Sequence, residues 1–164
     1  MAVDPRRAHW WWREEPCAPS RAVIVDIDGV LADAQGRQHL LRGELHDWNA
    51  FFDASGSDPV FQEVHTLLTL LDPSLLVLLV TARPVRVRSV TLEWLGRHEL
   101  RYDLLAMRPA GEFAPAADVK RDVLGELRED SFSLELAIED DPSIKDMYDD
   151  EGVPCLYLHS GYYD

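Results

Sequence analysis

The sequence predicts an α/β fold in three layers, a mostly parallel five-stranded sheet flanked by helices. Three observations predict it. Short, fully apolar runs recur along the chain, as buried parallel strands require when both of their faces are covered. Segments with apolar residues at helical spacing separate those runs, the alternation that builds a parallel sheet with helices on both sides. Three of the runs also end in polar residues: Asp26 and Asp28, Thr81, and Asp140 with Asp141. In a parallel sheet all strand C-termini lie along one edge, so groups far apart in sequence converge there.

Residues 1–20 read as an N-terminal arm that carries Trp10-Trp11-Trp12 and closes at Pro16 and Pro19, and residues 21–164 as a single domain. Ala22 to Asp26 is the first strand, β-branched and apolar, delivering Asp26 and Asp28 to its tip. Residues 29–58 are a mixed segment with Trp48, Phe51 and Phe52 clustered, expected to be core or a small lid. Asp58-Pro59 looks like an N-cap and first helical position, opening a helix with Val60, Val64, Leu67, Leu68 and Leu71 on its apolar face. Leu75 to Val80 is the second strand and ends at Thr81. Pro84 opens the next helix, with Val85, Leu92 and Leu95 inward. Tyr102 to Met107 supplies a third strand, and Val119, Val123, Leu124 and Leu127 repeat at helical spacing. Leu134 to Ile138 is the fourth strand, Ile144, Met147 and Tyr148 mark a short helix, and Cys155 to Leu158 is the fifth strand. The three tryptophans of the arm are expected to pack onto the domain; stacking on nucleic-acid bases is the other use of such a cluster.

Composition narrows the function classes. A chain of 164 residues is long enough for one domain with a proper core. No apolar run approaches the roughly 18 residues a membrane span needs, and the N-terminus lacks an apolar leader, so the cytoplasm is the expected location and no membrane partner is expected. Cys17 and Cys155 belong to no metal or disulfide pattern, and the six histidines show no zinc spacing. A formal charge of −14 argues against a broad basic surface for nucleic acid, so any such contact must be local. Several carboxylates meeting at one sheet edge repel one another unless a cation joins them, and Mg²⁺ accepts carboxylates and carbonyls while keeping positions for water and phosphate.

Asp26-Ile27-Asp28-Gly29-Val30-Leu31, Val80-Thr81-Ala82-Arg83-Pro84, Lys120 and Glu139-Asp140-Asp141 resemble, in order and separation, the four motifs of the haloacid dehalogenase superfamily. Within it, residues 22 to 163 are most similar to the phosphatase domain of polynucleotide kinase-phosphatases and its stand-alone phage and bacterial relatives. Thr91 to Leu95, the stretch from Met107-Arg108 through Gly111-Glu112 to Val119-Lys120, and Gly152 to Cys155 carry that likeness. No G-x-x-x-x-G-K-[ST] occurs, so a kinase half is not expected, and a separate kinase or ligase is a candidate partner.

The resemblance implies a three-layer Rossmann-like fold without a large cap domain, and a Mg²⁺-dependent phosphomonoesterase working through an aspartyl-phosphate. Asp26 would attack phosphorus and Asp28 would serve as general acid, then base. Thr81 would hydrogen-bond a phosphoryl oxygen, and Lys120 would hold Asp26 and phosphate charge in place. Asp26, Asp140 and the backbone carbonyl of Asp28 would hold the metal. Arg37 and Arg83 match arginines that contact substrate phosphate, and Arg108 is a further substrate-binding candidate along the approach. The implied substrate is a phosphorylated nucleic-acid end, most readily a 3′-phosphate, approached through an open site. The sequence departs from the pattern at Ala116, where an acid is usual, at Asp141, where a base is usual, and at Glu139 in place of aspartate; Asp141 also suits a helix cap. A nucleotidase or other small-molecule phosphatase of the same fold, and a non-catalytic interaction module, are the other readings.

Overall fold

The structure, a computed structural model, describes residues 2–4, 6–44 and 46–164. Its single sheet has seven strands: β1 (Ala2–Asp4), β2 (Arg7–Trp12), β3 (Arg21–Val25), β4 (Leu76–Pro84), β5 (Leu104–Arg108), β6 (Ser133–Glu139) and β7 (Cys155–Tyr157), in the order β1-β2-β5-β4-β3-β6-β7. The five strands from β3 to β7 run parallel, as the sequence predicts, with Ala22 opposite Leu76 and Val25 opposite Ile138. The other two correct the reading of residues 1–20 as an arm ahead of the domain. β2 pairs antiparallel with β5, Trp10 opposite Ala106 and Trp12 opposite Leu104, so the arm is built into the sheet.

Strand alternation assigns each residue to a face. Val23, Val25, Val77, Leu79, Leu105 and Met107 face one layer, formed with α2 (Gln62–Leu70) and α3 (Arg88–Arg97) through Val64, Leu68, Trp94 and Leu95. Ala22, Ile24, Leu78, Val80, Leu104 and Ala106 face the other, formed with α4 (Ala116–Glu129) and α5 (Pro142–Asp150) through Val123, Leu124, Leu127, Ile144, Met147 and Tyr148. Trp10 and Trp12 join this second core, and the Trp10 indole N–H donates to Glu126 at 3.0 Å. Their burial follows from alternation: β2 turns them inward and leaves Trp11 half-buried on the opposite face.

The segment between β3 and α2 is a small insertion of short turns, not a cap domain: a 3-10 helix at Ala34–Leu41, α1 (Trp48–Asp53) and a second 3-10 turn at Ala54–Ser57. Phe51 is buried beneath it while Trp48 stays exposed, edge-on to Phe51 and stacked on Phe52. Asp58-Pro59 does not open α2. Residues 59–61 instead run beside 31–33, with Asp33 N–H on the Pro59 carbonyl and Phe61 N–H on the Leu31 carbonyl, both at 2.8 Å, and the helix begins at Gln62. Pro84 likewise ends β4 rather than opening a helix; a 3-10 turn at Val85–Val87 precedes α3. Among the described residues no helix is long and apolar enough to cross a membrane.

Replacing Trp10, fully buried between the sheet and α4, by alanine should cost about 3–5 kcal/mol of stability, measured by urea unfolding. A cost below about 1 kcal/mol would show that the arm is peripheral to the core.

Candidate active site

The C-terminal ends of β3, β4 and β6 bring Asp26, Asp28, Thr81, Glu139 and Asp140 to one edge of the sheet. Past β3 the chain turns around Ile27, whose carbonyl accepts the amides of Val30, Leu31 and Ala32 at 3.2, 2.9 and 2.9 Å. Gly29 closes this turn with φ of +86°, and a Cβ there would lie 2.0 Å from Asp140 Oδ2. Glycine is therefore required twice, once by the backbone and once by the carboxylate seated against it.

Asp26 and Asp28, two residues apart, enter different environments. Lys120, buried on α4, donates to Asp26 Oδ1 at 2.8 Å and also to Glu139. The second oxygen of Glu139 accepts the amides of Asp140 at 2.9 Å and Asp141 at 3.3 Å. Asp26, Glu139 and Asp140 present carboxylate oxygens within 4.8 Å of one another. Both Asp140 oxygens are buried and have no hydrogen-bond partner. Asp141, by contrast, caps α5, accepting the Ser143 amide at 2.8 Å.

Asp28 belongs to an arginine centre. Arg83 grips it through Nε at 3.1 Å and Nη2 at 2.6 Å, and Arg37 also donates to it. Arg37 in turn binds Asp58 through Nε, at 3.0 Å to each oxygen, and through Nη2 at 2.6 Å. Its Nη1 reaches the Phe51 carbonyl at 3.1 Å, and the guanidinium lies 4.1 Å from the centre of the Phe51 ring. Arg83 is completed by Thr91 Oγ1 at 3.2 Å. Thr81 is buried, and its hydroxyl oxygen accepts the Arg83 amide at 3.1 Å, which leaves the hydroxyl hydrogen for another acceptor.

Electrostatics separate the two centres. Burial drives the Asp28 carboxyl up, but Arg83 and Arg37 outweigh it and hold it down at about 2. Burial and the neighbouring Asp26 charge push Asp140 up to about 9, and burial with Asp26 lifts Glu139 to about 7 against the pull of Lys120. Burial also raises Asp26, while Lys120 opposes the rise. A divalent cation fits this second centre. Its donors are all oxygens, its negative charge exceeds what Lys120 can neutralise, and Asp140 has no other partner.

The residues singled out in the sequence thus meet, with changes of assignment. Arg37 and Arg83 are turned onto Asp28 rather than left exposed, and the Asp28 side chain is committed to them, so only its backbone remains for a metal. Arg108 spends Nε on the Ala82 carbonyl at 3.1 Å and Nη1 on the Ala114 carbonyl at 2.6 Å. Sequence reasoning missed Asp58 and Thr91, and it took Glu139 only as a conservative change. The available signal for Asp58 was charge balance: two arginines buried over Asp28 require a second carboxylate.

A family model described as the polynucleotide kinase PNKP phosphatase domain matches residues 20–163. Two structures of a Pnkp1/Rnl/Hen1 complex, one described as an RNA repair complex, contain a chain similar to this one at 22% and 24% identity, with TM-scores of 0.73 and 0.72. This chain is covered over 91% and 93% of its length but spans only 45% and 50% of those chains. The haloacid dehalogenase-like hydrolase SP0104 of Streptococcus pneumoniae is similar in fold at 15% identity and a TM-score of 0.61, covering 87% of this chain and 86% of its own. No curated protein matches.

Two predictions follow from the charge balance. Asp140 holds its proton in the folded protein up to about 9 but releases it near 3.8 when unfolded, so metal-free stability should fall as pH rises through that window. At about pH 8, Mg²⁺ should raise the melting temperature, and Asp140→Asn should remove that rise while stabilising the metal-free protein by about 1–2 kcal/mol. An Asp140→Asn protein that Mg²⁺ still stabilises fully would exclude Asp140 as a ligand. Lys120→Met strands the carboxylates of Asp26 and Glu139 and should cost about 3–5 kcal/mol in urea unfolding, far more than an exposed lysine would.

Proposed function

We propose that this chain, which belongs to the family of polynucleotide kinase PNKP phosphatase domains and so to the haloacid dehalogenase phosphatases, removes 3′-phosphates from nucleic-acid ends. One observation carries the mechanistic part of this reading. Two carboxylates of one short turn sit in opposite electrostatic settings, Asp26 against Lys120 and the acidic cluster, Asp28 between two arginines. Environments that drive paired acids apart mark them for different roles in a reaction.

In the proposed reaction Asp26 attacks phosphorus, the bond from phosphorus to the sugar oxygen breaks, and the oxygen leaves as an alkoxide that takes a proton from Asp28. Asp28 then removes a proton from the water that attacks the aspartyl-phosphate, which releases inorganic phosphate and regenerates Asp26. Held by Arg37 and Arg83, Asp28 is ionised at neutral pH, so its acid role requires an incoming phosphate to draw guanidinium charge away from it. Thr81 is placed to donate its hydroxyl hydrogen to a phosphoryl oxygen, and Lys120 holds Asp26 in position. Mg²⁺, held by Asp26, Asp140 and the backbone carbonyl of Asp28, would supply the positive charge that offsets repulsion between carboxylate and phosphate.

The nucleic-acid substrate rests on the family and on similarity to a chain of an RNA repair complex. The same similarity supports a partner with ligase or kinase activity, acting on the end this chain prepares. The charge of −14 favours a second reading, a nucleotidase, since a mononucleotide needs no extended basic track.

Asp26→Asn should lower turnover by at least about a thousandfold, because an amide cannot form the phosphoenzyme. Asp28→Asn should harm alkyl phosphates more than p-nitrophenyl phosphate, whose leaving group needs no proton. Matched oligonucleotides decide the substrate: phosphate release should be faster from a 3′-phosphate than from a 5′-phosphate, and faster than from a 3′-mononucleotide. Equal rates on mononucleotide and oligonucleotide would support the nucleotidase instead.

A further inference from the structure

Phe113 is the most exposed large hydrophobic side chain among the described residues, 92% accessible, and it stands on a loop that is fixed rather than loose. Residues 109–115 connect β5 to α4. Gly111 at φ of +76° and a Glu112 N–H to Pro109 carbonyl bond of 3.2 Å shape the turn, and the Glu112 carboxylate accepts the Ala114 amide at 2.8 Å. Arg108 then pins both neighbours of Phe113, donating to the carbonyls of Glu112 at 3.4 Å and Ala114 at 2.6 Å. The same guanidinium donates to the carbonyl of Ala82, the residue between Thr81 and Arg83. The loop that carries the ring is therefore braced against β4, at the same end of the sheet as Thr81.

A cation lies in the same loop region of this acidic chain. Arg37, Arg83, Arg86 and Arg7 are each paired with carboxylates, but Arg108 has only carbonyl partners, and its Nη2 is left without one. A flat apolar ring beside a guanidinium, which the Glu112 carboxylate partly offsets and which donates to the backbone next to Thr81, matches one kind of ligand. A nucleotide presents a flat base together with a phosphate, and aromatic rings beside cations are the usual platform for single-stranded ends.

We infer that Phe113 is the stacking platform for a base at the 3′ end of a single-stranded nucleic acid whose terminal phosphate lies at Asp26. The inference rests on the nucleic-acid reading above and adds the residue that would make the site prefer a nucleotide over a bare phosphoester. Stacking of one base corresponds to roughly a five- to hundredfold change in affinity. Because Phe113 is exposed and its loop is held through backbone groups, substitution leaves the fold's contacts in place.

The test compares kcat/KM on a short 3′-phosphorylated oligonucleotide, on the same oligonucleotide with abasic sugars at its last two positions, and on p-nitrophenyl phosphate. Wild type should prefer the base-bearing end to the abasic one. Phe113→Ala should reduce that preference by about tenfold, through KM rather than kcat, and Phe113→Trp should restore it. If wild type shows the preference and Phe113→Ala keeps it, the platform is overturned while the nucleic-acid reading stands. If wild type handles base-bearing, abasic and aryl phosphates alike, both fall together. Equal losses on all three substrates in Phe113→Ala would also overturn the platform, since they would mark a role in the common chemistry.

Discussion

The structure depends on a surplus of buried negative charge at the C-terminal edge of its sheet. Asp26, Asp28, Asp58, Glu139 and Asp140 gather there against three cations, Arg37, Arg83 and Lys120. Carboxylates withdrawn from water are tolerated only when paired, and hydrophobic burial in the two cores supplies the stability that keeps these groups together. The least compensated of them is Asp140, whose buried oxygens have no hydrogen-bond partner and whose carboxyl burial and Asp26 push up to about 9. An all-oxygen site with more negative charge than its one lysine offsets is the kind of site that suits a divalent cation.

That charge is partitioned by backbone geometry. The turn anchored on the Ile27 carbonyl sends Asp26 toward α4 and Lys120, and Asp28 toward the small insertion and β4. Each centre is then locked by groups from other elements. Glu139 is fixed by the amides that follow it, Arg83 by Thr91 of α3, and Asp58 by the Trp94 indole, which donates to its carbonyl at 2.8 Å. The insertion matters less as a cover than as a support, since it supplies Arg37 and, through Phe51, both a carbonyl and a ring to hold it.

The remaining surface offers little free positive charge. Most arginines are neutralised by neighbours, and the excess of acids repels an extended polyanion.

Lys120, on a helix, was marked only by the family resemblance; the sequence by itself determined the alternation of strands and helices, the five parallel strands, and the meeting of Asp26, Asp28, Thr81 and Asp140. These follow from local periodicity and from the rule that parallel strands end on one edge, and both are written within short windows of the chain. Tertiary structure decided the rest. Asp58 looked like a helix cap because Asp-Pro commonly is one; the bridge of Val60 to Ala32 and two distant guanidiniums took it for the site. Trp10 and Trp12 were expected to pack onto the domain, and they do, but nothing local says which sheet edge lies open, so only the fold shows that they do so as a strand beside β5. Arg37, Arg83 and Arg108 were expected to meet substrate, but whether each faces solvent, a carboxylate or a carbonyl depends on neighbours far away in sequence. Long-range pairing and the balance of buried charge are properties of the assembled fold, and no window of the sequence contains them.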